Sequence, residues 1–341
     1  MTEMGEPDFR DCAAAAIAAL QRWYSRWNGQ WRTTGWWNAA NALTALVDYT
    51  DQTGDPTYSW VIGRTFRTAR WRHRHFLNRY FDDNGWWAMA WLRAHELTGD
   101  ERYLAAARRI FASMVTAWDD VYGGGLWWSR DRTYKNAITN ELFLAVATRL
   151  HRRSPGRTST YLDWALREWE WFDAAGLLGP DGLINDGLTA GGANNGKPAY
   201  TYNQGVILGG LADLCQVTGD GAYLRKAESI ADAALRKLIK PPGVLTEPGE
   251  SGMIGRADDG SQFKGIFVRY LGEFYTYVPR PAYRDFILHN ARSIWNHNRN
   301  AENQFGLCWA GPFDTADASR QSSALDALIA AVAVRGTTAR C

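Results

Sequence analysis

The chain has 341 residues, of which 46% are hydrophobic and 22% are charged, a composition typical of a globular protein. A formal net charge of +2 argues against a nucleic-acid-binding or membrane-surface protein. The cysteines Cys12, Cys215, Cys308 and Cys341 show neither metal-ligand spacing nor a disulfide pattern, so reduced thiols are expected and no metal or cofactor is predicted.

The beginning of the chain bears on its location. Residues 1–9 are polar and acidic and lack the basic and apolar regions of a signal peptide, and no apolar run is long enough to span a membrane. As the sequence stands, we expect a cytoplasmic, monomeric protein with one domain over residues 1–341. A chain whose leader had been removed would look the same and would be extracellular.

A recurring turn divides the chain into pairs of helices. The turn occurs at Thr53-Gly54-Asp55, Thr98-Gly99-Asp100 and Thr218-Gly219-Asp220, with weaker copies at Ser154-Pro155-Gly156 and Pro279-Arg280-Pro281. Glycine favours the left-handed end of one helix, and aspartate caps the start of the next. The period of about 45 to 60 residues indicates a repeat architecture.

The predicted helices are of two kinds, which alternate along the chain. Amphipathic helices are predicted at 9–27, 57–76, 103–118, 158–174, 222–239 and 282–298. The Arg-rich segment 64–74 is interpreted as the solvated face of one of them. Helices that are apolar nearly all round, and therefore interior, are predicted at 37–50, 84–97, 136–151, 202–216, 265–276 and 318–334. Six outer and six inner helices predict an all-α fold, an (α/α)6 barrel of six helical hairpins.

The connections indicate which end of the barrel is functional. Those from an outer to an inner helix are long and rich in Gly, Trp, Asn and Asp, and they cover 28–35, 78–83, 122–135, 177–200, 240–262 and 300–317. The connections in the other direction are mostly the short turns. Since functional residues concentrate on loops held by a rigid scaffold, the site is predicted at the N-terminal ends of the inner helices.

Polar and aromatic residues open each inner helix at that end. Most of the eighteen Trp are expected in the core, and the others in a cleft where flat rings stack on sugar faces. An asparagine at a helix start can also be only a cap, but five such openings at one end indicate carbohydrate binding. The candidate sugar-binding residues are Trp36, Trp37, Asn38, Asn41, Trp86, Trp87, Asn136, Asn140, Glu141, Tyr202, Asn203, Gln204, Phe263 and Lys264.

The adjacent acids Asp82 and Asp83 are the candidate catalytic residues. Glycoside hydrolysis needs two carboxyl groups, which retaining enzymes hold about 5–5.5 Å apart and inverting enzymes further apart. Adjacent Cα atoms lie about 3.8 Å apart, so side chains that diverge from neighbouring residues reach the retaining separation more easily. A nearby helix N-terminus favours an anion, and each charge raises the neighbour's pKa, so the two should titrate as a pair. The residues alone leave open which acid plays which role.

The chain resembles glycoside hydrolase family 76, the endo-α-1,6-mannanases. The resemblance covers most of the chain and is carried, in order, by Thr34-Gly35-Trp36-Trp37-Asn38, Phe81-Asp82-Asp83-Asn84-Gly85-Trp86-Trp87, Lys135-Asn136-Ala137-Ile138-Thr139-Asn140-Glu141, Tyr202-Asn203-Gln204-Gly205 and Phe263-Lys264-Gly265-Ile266-Phe267-Val268-Arg269. It implies retaining cleavage of α-1,6-mannan without a metal, with Asp82 as nucleophile and Asp83 as general acid/base. It also implies, more weakly, a sugar contact at Asp186.

Other functions remain to be weighed against this one. A sugar 2-epimerase on the same barrel needs catalytic His, but none of the six His opens an inner helix. A terpene cyclase needs further Asp at helical spacing after Asp82 and Asp83, which the sequence lacks. A transglycosylase acting on mannose-containing glycans and a non-catalytic mannan-binding protein stay open, because the first would use the same two acids and the second would only bind.

Overall fold

The computed structural model describes residues 7–154, 159–256 and 258–336, which form twelve α-helices and two short β-hairpins. The helices are α1 (Phe9–Gln21), α2 (Trp36–Thr53), α3 (Trp60–Arg72), α4 (Phe81–Thr98), α5 (Glu101–Val115), α6 (Ala137–Arg152), α7 (Ser159–Ala174), α8 (Thr201–Thr218), α9 (Ala222–Lys237), α10 (Gly260–Tyr275), α11 (Pro281–His297) and α12 (Ala318–Gly336). The hairpins pair β1 (Tyr24–Ser25) with β2 (Gln30–Trp31) and β3 (Ile239–Lys240) with β4 (Val244–Leu245).

The even-numbered helices form a closed inner ring. Each contacts the next in the order α2, α4, α6, α8, α10 and α12, and α12 returns to α2. Odd-numbered helices pack outside this ring, for example α5 on α4, α7 on α6 and α9 on α8. The inner helix α6 buries every residue from 137 to 150, whereas the outer helix α5 buries one stripe. The predicted all-α (α/α)6 barrel is confirmed.

Glycines allow the inner helices to approach closely where they begin. A Cβ atom on Gly205 of α8 would lie 2.6 Å from the Cα of Phe267 in α10. A Cβ atom on Gly265 of α10 would lie 2.5 Å from the Cα of Ser323 in α12. Both distances are shorter than real contacts, so any other residue would force α8, α10 and α12 apart.

The recurring turns are formed as the sequence predicts. Gly54, Gly99 and Gly219 end α2, α4 and α8 with φ values of 73°, 69° and 77°. The following aspartate in each turn accepts a backbone N–H from the residue two positions later. Pro155 and Gly156 of the weaker copy, and Cys341, lie outside the described residues. Cys12, Cys215 and Cys308 are free thiols, as expected.

Two predicted outer helices are too long. The helix predicted at 9–27 ends at Gln21, because β1 and β2 form a hairpin whose turn contains Gly29 at a φ of 72°. The helix predicted at 57–76 covers only 60–72. Arg74, His75 and Phe76 then take positive φ values, and this bend places the Phe76 ring in the core.

Two inner helices start earlier than predicted. Helix α4 begins at Phe81 rather than residue 84, so Asp82 and Asp83 belong to its first turn and not to the preceding loop. Helix α10 begins at Gly260 rather than residue 265. The segment before α10 also contains β4 and a single 3₁₀ turn, Glu250–Gly252. Among the described helices, none is long and apolar enough to cross a membrane.

Candidate active site

The two acids lie at the start of α4 in a turn held by asparagines. The Asn78 backbone N–H donates to Asn84 Oδ1 over 2.9 Å, and Asn78 Oδ1 accepts the Tyr80 N–H over 2.8 Å. The side-chain amide of Asn78 donates to Asp83 Oδ2. The chain therefore enters the helix in one defined conformation, which fixes where both carboxyl groups point.

Different groups hold the two carboxyls. Oδ2 of Asp82 accepts the indole N–H of Trp128 over 3.0 Å. Its Oδ1 is shielded from solvent and has no hydrogen-bond partner among the described residues. Asp83 is held on its Oδ2 by Asn78. Each carboxyl thus keeps one oxygen without a hydrogen bond to the described part of the chain. These two oxygens are free to contact a substrate.

Both carboxyls resist losing their protons. Burial raises the pKa of Asp82 well above its ordinary value, and the charge of Asp83 adds to the effect. Burial raises the pKa of Asp83 to about 7, opposed by the Asn78 hydrogen bond and assisted by the charge of Asp259. The pair therefore holds a proton near neutral pH, and it presents one carboxylic acid and one carboxylate.

Four aromatic rings, one from each of four inner helices, stack beside the acids in a row that we call the aromatic floor (Trp37, Trp86, Tyr202 and Phe263). Trp37 is half-buried and the other three rings are buried. Trp37 and Trp86 stack at 5.8 Å between ring centroids, and Trp86 and Tyr202 at 6.5 Å. Tyr202 and Phe263 stack at 3.8 Å with an angle of 6° between their planes. Flat rings that are joined in this way suit the apolar faces of sugar rings.

Trp36 and Trp87, also predicted as sugar contacts, lie elsewhere. Trp36 stacks on His73 at 3.8 Å and packs on Trp87 at 4.4 Å between centroids. Trp87 is fully buried and contacts Phe76 and Trp91. These indoles fill the space between α2, α4 and α3, so the structure separates them from the aromatic floor.

Asp186 lies at the start of α6, near enough to Tyr202 for its charge to add to the effect of burial in raising the pKa of that phenol. The Ala137 N–H donates to its backbone oxygen over 2.8 Å. Its carboxylate accepts the Tyr134 hydroxyl over 2.5 Å, and Lys197 Nζ lies 3.8 Å away. Tyr134 in turn accepts the side-chain amide of Asn195 over 2.8 Å. Tyr134, Asn195, Lys197 and Trp128 are not among the sequence candidates, although Tyr134 immediately precedes the Lys135-Asn136 motif.

Three predicted sugar contacts bind loops instead of facing the cleft. Asn140 Oδ1 accepts the Leu126 N–H over 2.6 Å, and its amide donates to Leu126 O over 3.2 Å. Gln204 makes the same pair of bonds, both 2.8 Å, with Ile184. Lys264 pairs with Glu250 and donates to the Leu307 oxygen over 2.8 Å. All three side chains are fully buried, so they hold in place the loops that form the cleft.

The remaining candidates are also buried at the helix starts. Asn41 accepts Arg269 Nη1 over 2.9 Å and lies inside the barrel. Glu141, Asn203 and the Asn136 Oδ1 atom have no hydrogen-bond partner among the described residues. Burial raises the pKa of Glu141 well above its ordinary value. Asn38 is 3% exposed and borders a separate cavity. In the described part of the chain, no three His, Cys, Asp or Glu side chains cluster as a metal site would require.

Two curated fungal proteins are similar in sequence to this chain. A curated mannan endo-1,6-alpha-mannosidase DCW1 of Saccharomyces cerevisiae is 28% identical over 266 residues, and DFG5 of Candida albicans is 30% identical over 261 residues. These alignments cover 72% and 70% of this chain but only 58% and 57% of the relatives, so the chain spans little more than half of their length.

Solved structures match nearly the whole chain. An inactive variant of the α-1,6-mannanase GH76A of Salegentibacter sp. HEL1_6, in complex with an α-1,6-linked mannose tetramer, has a TM-score of 0.86 at 26% identity. The match covers 96% of this chain and 100% of that one. Dfg5 of Chaetomium thermophilum, in complex with glucosamine, has the same fold with a TM-score of 0.84 at 21% identity. The sequence profile of glycosyl hydrolase family 76 matches residues 10–339, and this chain therefore belongs to glycosyl hydrolase family 76.

Proposed function

We propose that this chain is a retaining glycoside hydrolase that cleaves α-1,6-mannosidic bonds in mannan or mannooligosaccharides. The observation that carries the proposal is the pair of adjacent carboxyls, Asp82 and Asp83, in the first turn of α4 beside the aromatic floor, where burial raises both pKa values. An acid and a base in one site are what the hydrolysis of a glycoside requires.

The relatives support the substrate and the acids. The curated fungal relatives are named mannan endo-1,6-alpha-mannosidases. The solved α-1,6-mannanase bound to its oligosaccharide was made inactive by replacing two neighbouring aspartates with alanine. This chain has Asp-Asp pairs at 82–83, 119–120 and 258–259. Only the first lies within a helix, and both of its carboxyls have raised pKa values.

In the first step, Asp82 acts as nucleophile and Asp83 as acid. Oδ1 of Asp82 lacks a partner in the described residues while Trp128 holds Oδ2, so Oδ1 attacks the anomeric carbon. The bond from that carbon to the leaving O6 breaks as Asp83 protonates the O6. Burial raises the pKa of Asp82 further than that of Asp83, so the pKa values do not decide which carboxyl is the acid. The acid role of Asp83 rests on Oδ1 of Asp82, which has no partner among the described residues, and on the family resemblance.

In the second step the roles reverse. Asp83, now a carboxylate, takes a proton from a water molecule, and the water oxygen attacks the anomeric carbon of the mannosyl ester. The ester bond breaks, Asp82 regains its charge, and the product leaves with the original α configuration. The helix N–H groups around both residues stabilise the carboxylate that is present at each stage.

Substitution of the two acids tests the proposal. Asp82→Asn and Asp83→Asn should each abolish hydrolysis of an α-1,6-mannooligosaccharide while calorimetry still detects binding. The matched control is Asp120→Asn, since Asp120 also belongs to an Asp-Asp pair but its side chain is 87% exposed. Proton NMR of the first product of the unmodified enzyme should show the α anomer. Turnover near the original rate in either acid variant, or an initial β anomer, would contradict the mechanism.

A further inference from the structure

A cavity on the outer wall of the barrel, between α3 and α5, is lined by three arginines, and we call it the arginine cavity. Its volume of about 350 Å³ lies within the range of about 300–1,000 Å³ that is usual for small-molecule sites. The charged and aromatic side chains of its wall are Arg70, His75, Arg102, Arg109, Phe66 and Phe76. Among the described residues that line it, none carries a carboxyl group, so the wall is suited to an anion.

Two of the three guanidinium groups have no acidic partner. Arg102 is paired, because Asp100 accepts its Nε–H over 3.0 Å. Arg109 is exposed and forms no ion pair or hydrogen bond with the described residues. Arg70 donates from Nε to Nδ1 of His75 over 3.0 Å and meets no carboxylate in the described part of the chain. Arg70 and Arg109 therefore line the cavity without a compensating negative charge.

The state of His75 agrees with a positive potential in the cavity. Burial lowers the pKa of His75, and the charges of Arg109 and Arg70 lower it further. Because Nδ1 accepts the hydrogen bond from Arg70, the neutral ring carries its proton on Nε2, which is a further donor. Guanidinium groups bind phosphate strongly through parallel N–H donors. The donors of this wall therefore favour a phosphate group.

A strained segment after α3 forms one side of the cavity. Arg74, His75 and Phe76 have φ values of 46°, 62° and 70°, which non-glycine residues rarely adopt in succession. The bend returns His75 toward Arg70, whose backbone oxygen accepts the His75 N–H over 2.7 Å. Phe76 packs on Phe66 at 5.6 Å between ring centroids and closes the cavity toward the core. Strain of this kind concentrates at ligand sites, and here it builds the wall.

An exposed indole lies beside the arginines. Trp71 is 73% exposed, and its ring centroid lies 5.2 Å from the guanidinium carbon of Arg70 and 5.0 Å from the centroid of the His75 ring. An exposed flat ring beside a phosphate site suits a sugar that carries the phosphate. We propose that the arginine cavity binds the phosphate group of a sugar phosphate monoester, while Trp71 packs against its sugar ring. The site shares no residue with the catalytic cleft, so the inference is independent of the roles of Asp82 and Asp83.

Calorimetry of the full chain with three probes, mannose 6-phosphate, inorganic phosphate and mannose, tests the site. Mannose 6-phosphate should bind more tightly than inorganic phosphate. Arg109→Ala should weaken its binding about tenfold, as the loss of a charge-assisted hydrogen bond predicts. Trp71→Ala should weaken the binding of mannose 6-phosphate and leave that of inorganic phosphate unchanged. Both side chains are exposed, so both variants should fold.

The matched control is Arg72→Ala, which removes an exposed charge from the end of α3. Arg72 does not line the cavity and acts on the pKa of His73 rather than His75, so at about 0.1 M salt its loss should change the affinity by less than about twofold.

Several results would overturn the inference. The site fails if mannose 6-phosphate does not bind, or if it binds the Arg109→Ala variant with unchanged affinity. Equal affinities for mannose 6-phosphate and inorganic phosphate would remove the sugar from the proposal. Equal weakening by Arg72→Ala would mean that a diffuse positive surface, and not this cavity, attracts the anion. Mannose has no phosphate, so a parallel loss of its binding in Arg109→Ala would show that Arg109 does not recognise phosphate.

Discussion

At the scale of single residues, the carboxyls of the proposed catalytic pair oppose the stability of the fold. Burial raises the pKa of Asp83 from 3.8 to about 7, so the folded protein binds a proton more tightly there than the unfolded chain does. The free energy of unfolding must then fall as the pH rises between those two values, since the unfolded chain releases the proton first. The proposed site thus keeps a carboxyl protonated at a cost in stability that grows through this pH range and is complete above a pH of about 7.

Asp83→Asn should remove that cost. An uncharged amide of the same shape needs no deprotonation, so we expect the variant to exceed the original protein in free energy of unfolding by about 1–2 kcal/mol at a pH of about 8. At a pH of about 4 the two proteins should be equally stable, because the carboxyl is then protonated in the folded protein. Urea unfolding at both pH values measures the difference. A difference that is independent of pH would show that the Asp83 charge is not involved.

At the scale of helices and loops, amides at the starts of inner helices hold the loops of the cleft. Asn140 binds both backbone groups of Leu126, and Gln204 does the same with Ile184. Gln321, near the start of α12, accepts the Phe305 N–H over 3.1 Å. The long loops between outer and inner helices are therefore fixed by the helices that follow them.

Asn140→Ala should loosen one of these loops. Two buried backbone groups of Leu126 would lose their partner, which costs about 2–4 kcal/mol of unfolding free energy. The same loop carries Trp128, which holds Asp82, so kcat should fall as well. The matched control is Gln216→Ala, an exposed amide toward the other end of α8. Thermal unfolding and kinetics test both effects, and an unaltered midpoint would show that the loop does not depend on Asn140.

The helix pairs, their turns and the position of Asp82 and Asp83 at the start of an inner helix could be predicted from the sequence, because they follow from local patterns. The roles of the polar residues at the helix starts could not, since an amide there can bind either a sugar or a loop. Asn38 and Asn140 show this, because both lie at the start of an inner helix, but Asn38 borders a cavity and Asn140 binds Leu126. Asp259 was missed because its contact with Trp37 joins residues 222 positions apart.

At the scale of the whole molecule, buried ion pairs fill the barrel end opposite the active site. Arg149 of α6 lies 2.7 Å from both Asp213 of α8 and Glu273 of α10. Arg269 of α10 is 2.7 Å from Asp326 of α12. Two of these pairs join adjacent inner helices, and the Arg149–Glu273 pair connects α6 with α10, which lie on either side of α8. These ion pairs lie toward the C-terminal ends of the inner helices, away from Asp82 and Asp83. They can therefore stabilise closure of the ring without contacting the substrate.

Removing one arginine from this network should destabilise the barrel but leave catalysis intact. Arg149 and Asp213 have only 6% and 5% of their side chains exposed, so Arg149→Met removes a buried hydrogen bond from Asp213, which keeps only Arg152, at a cost of about 1.5–3 kcal/mol. In the control pair, Arg22 and Glu302 are 55% and 65% exposed, and Arg22→Met should cost less than about 1 kcal/mol. Urea unfolding measures both costs. Below the unfolding transition, kcat of the Arg149 variant should match that of the original protein, and a large loss would mean that the two ends of the barrel are coupled.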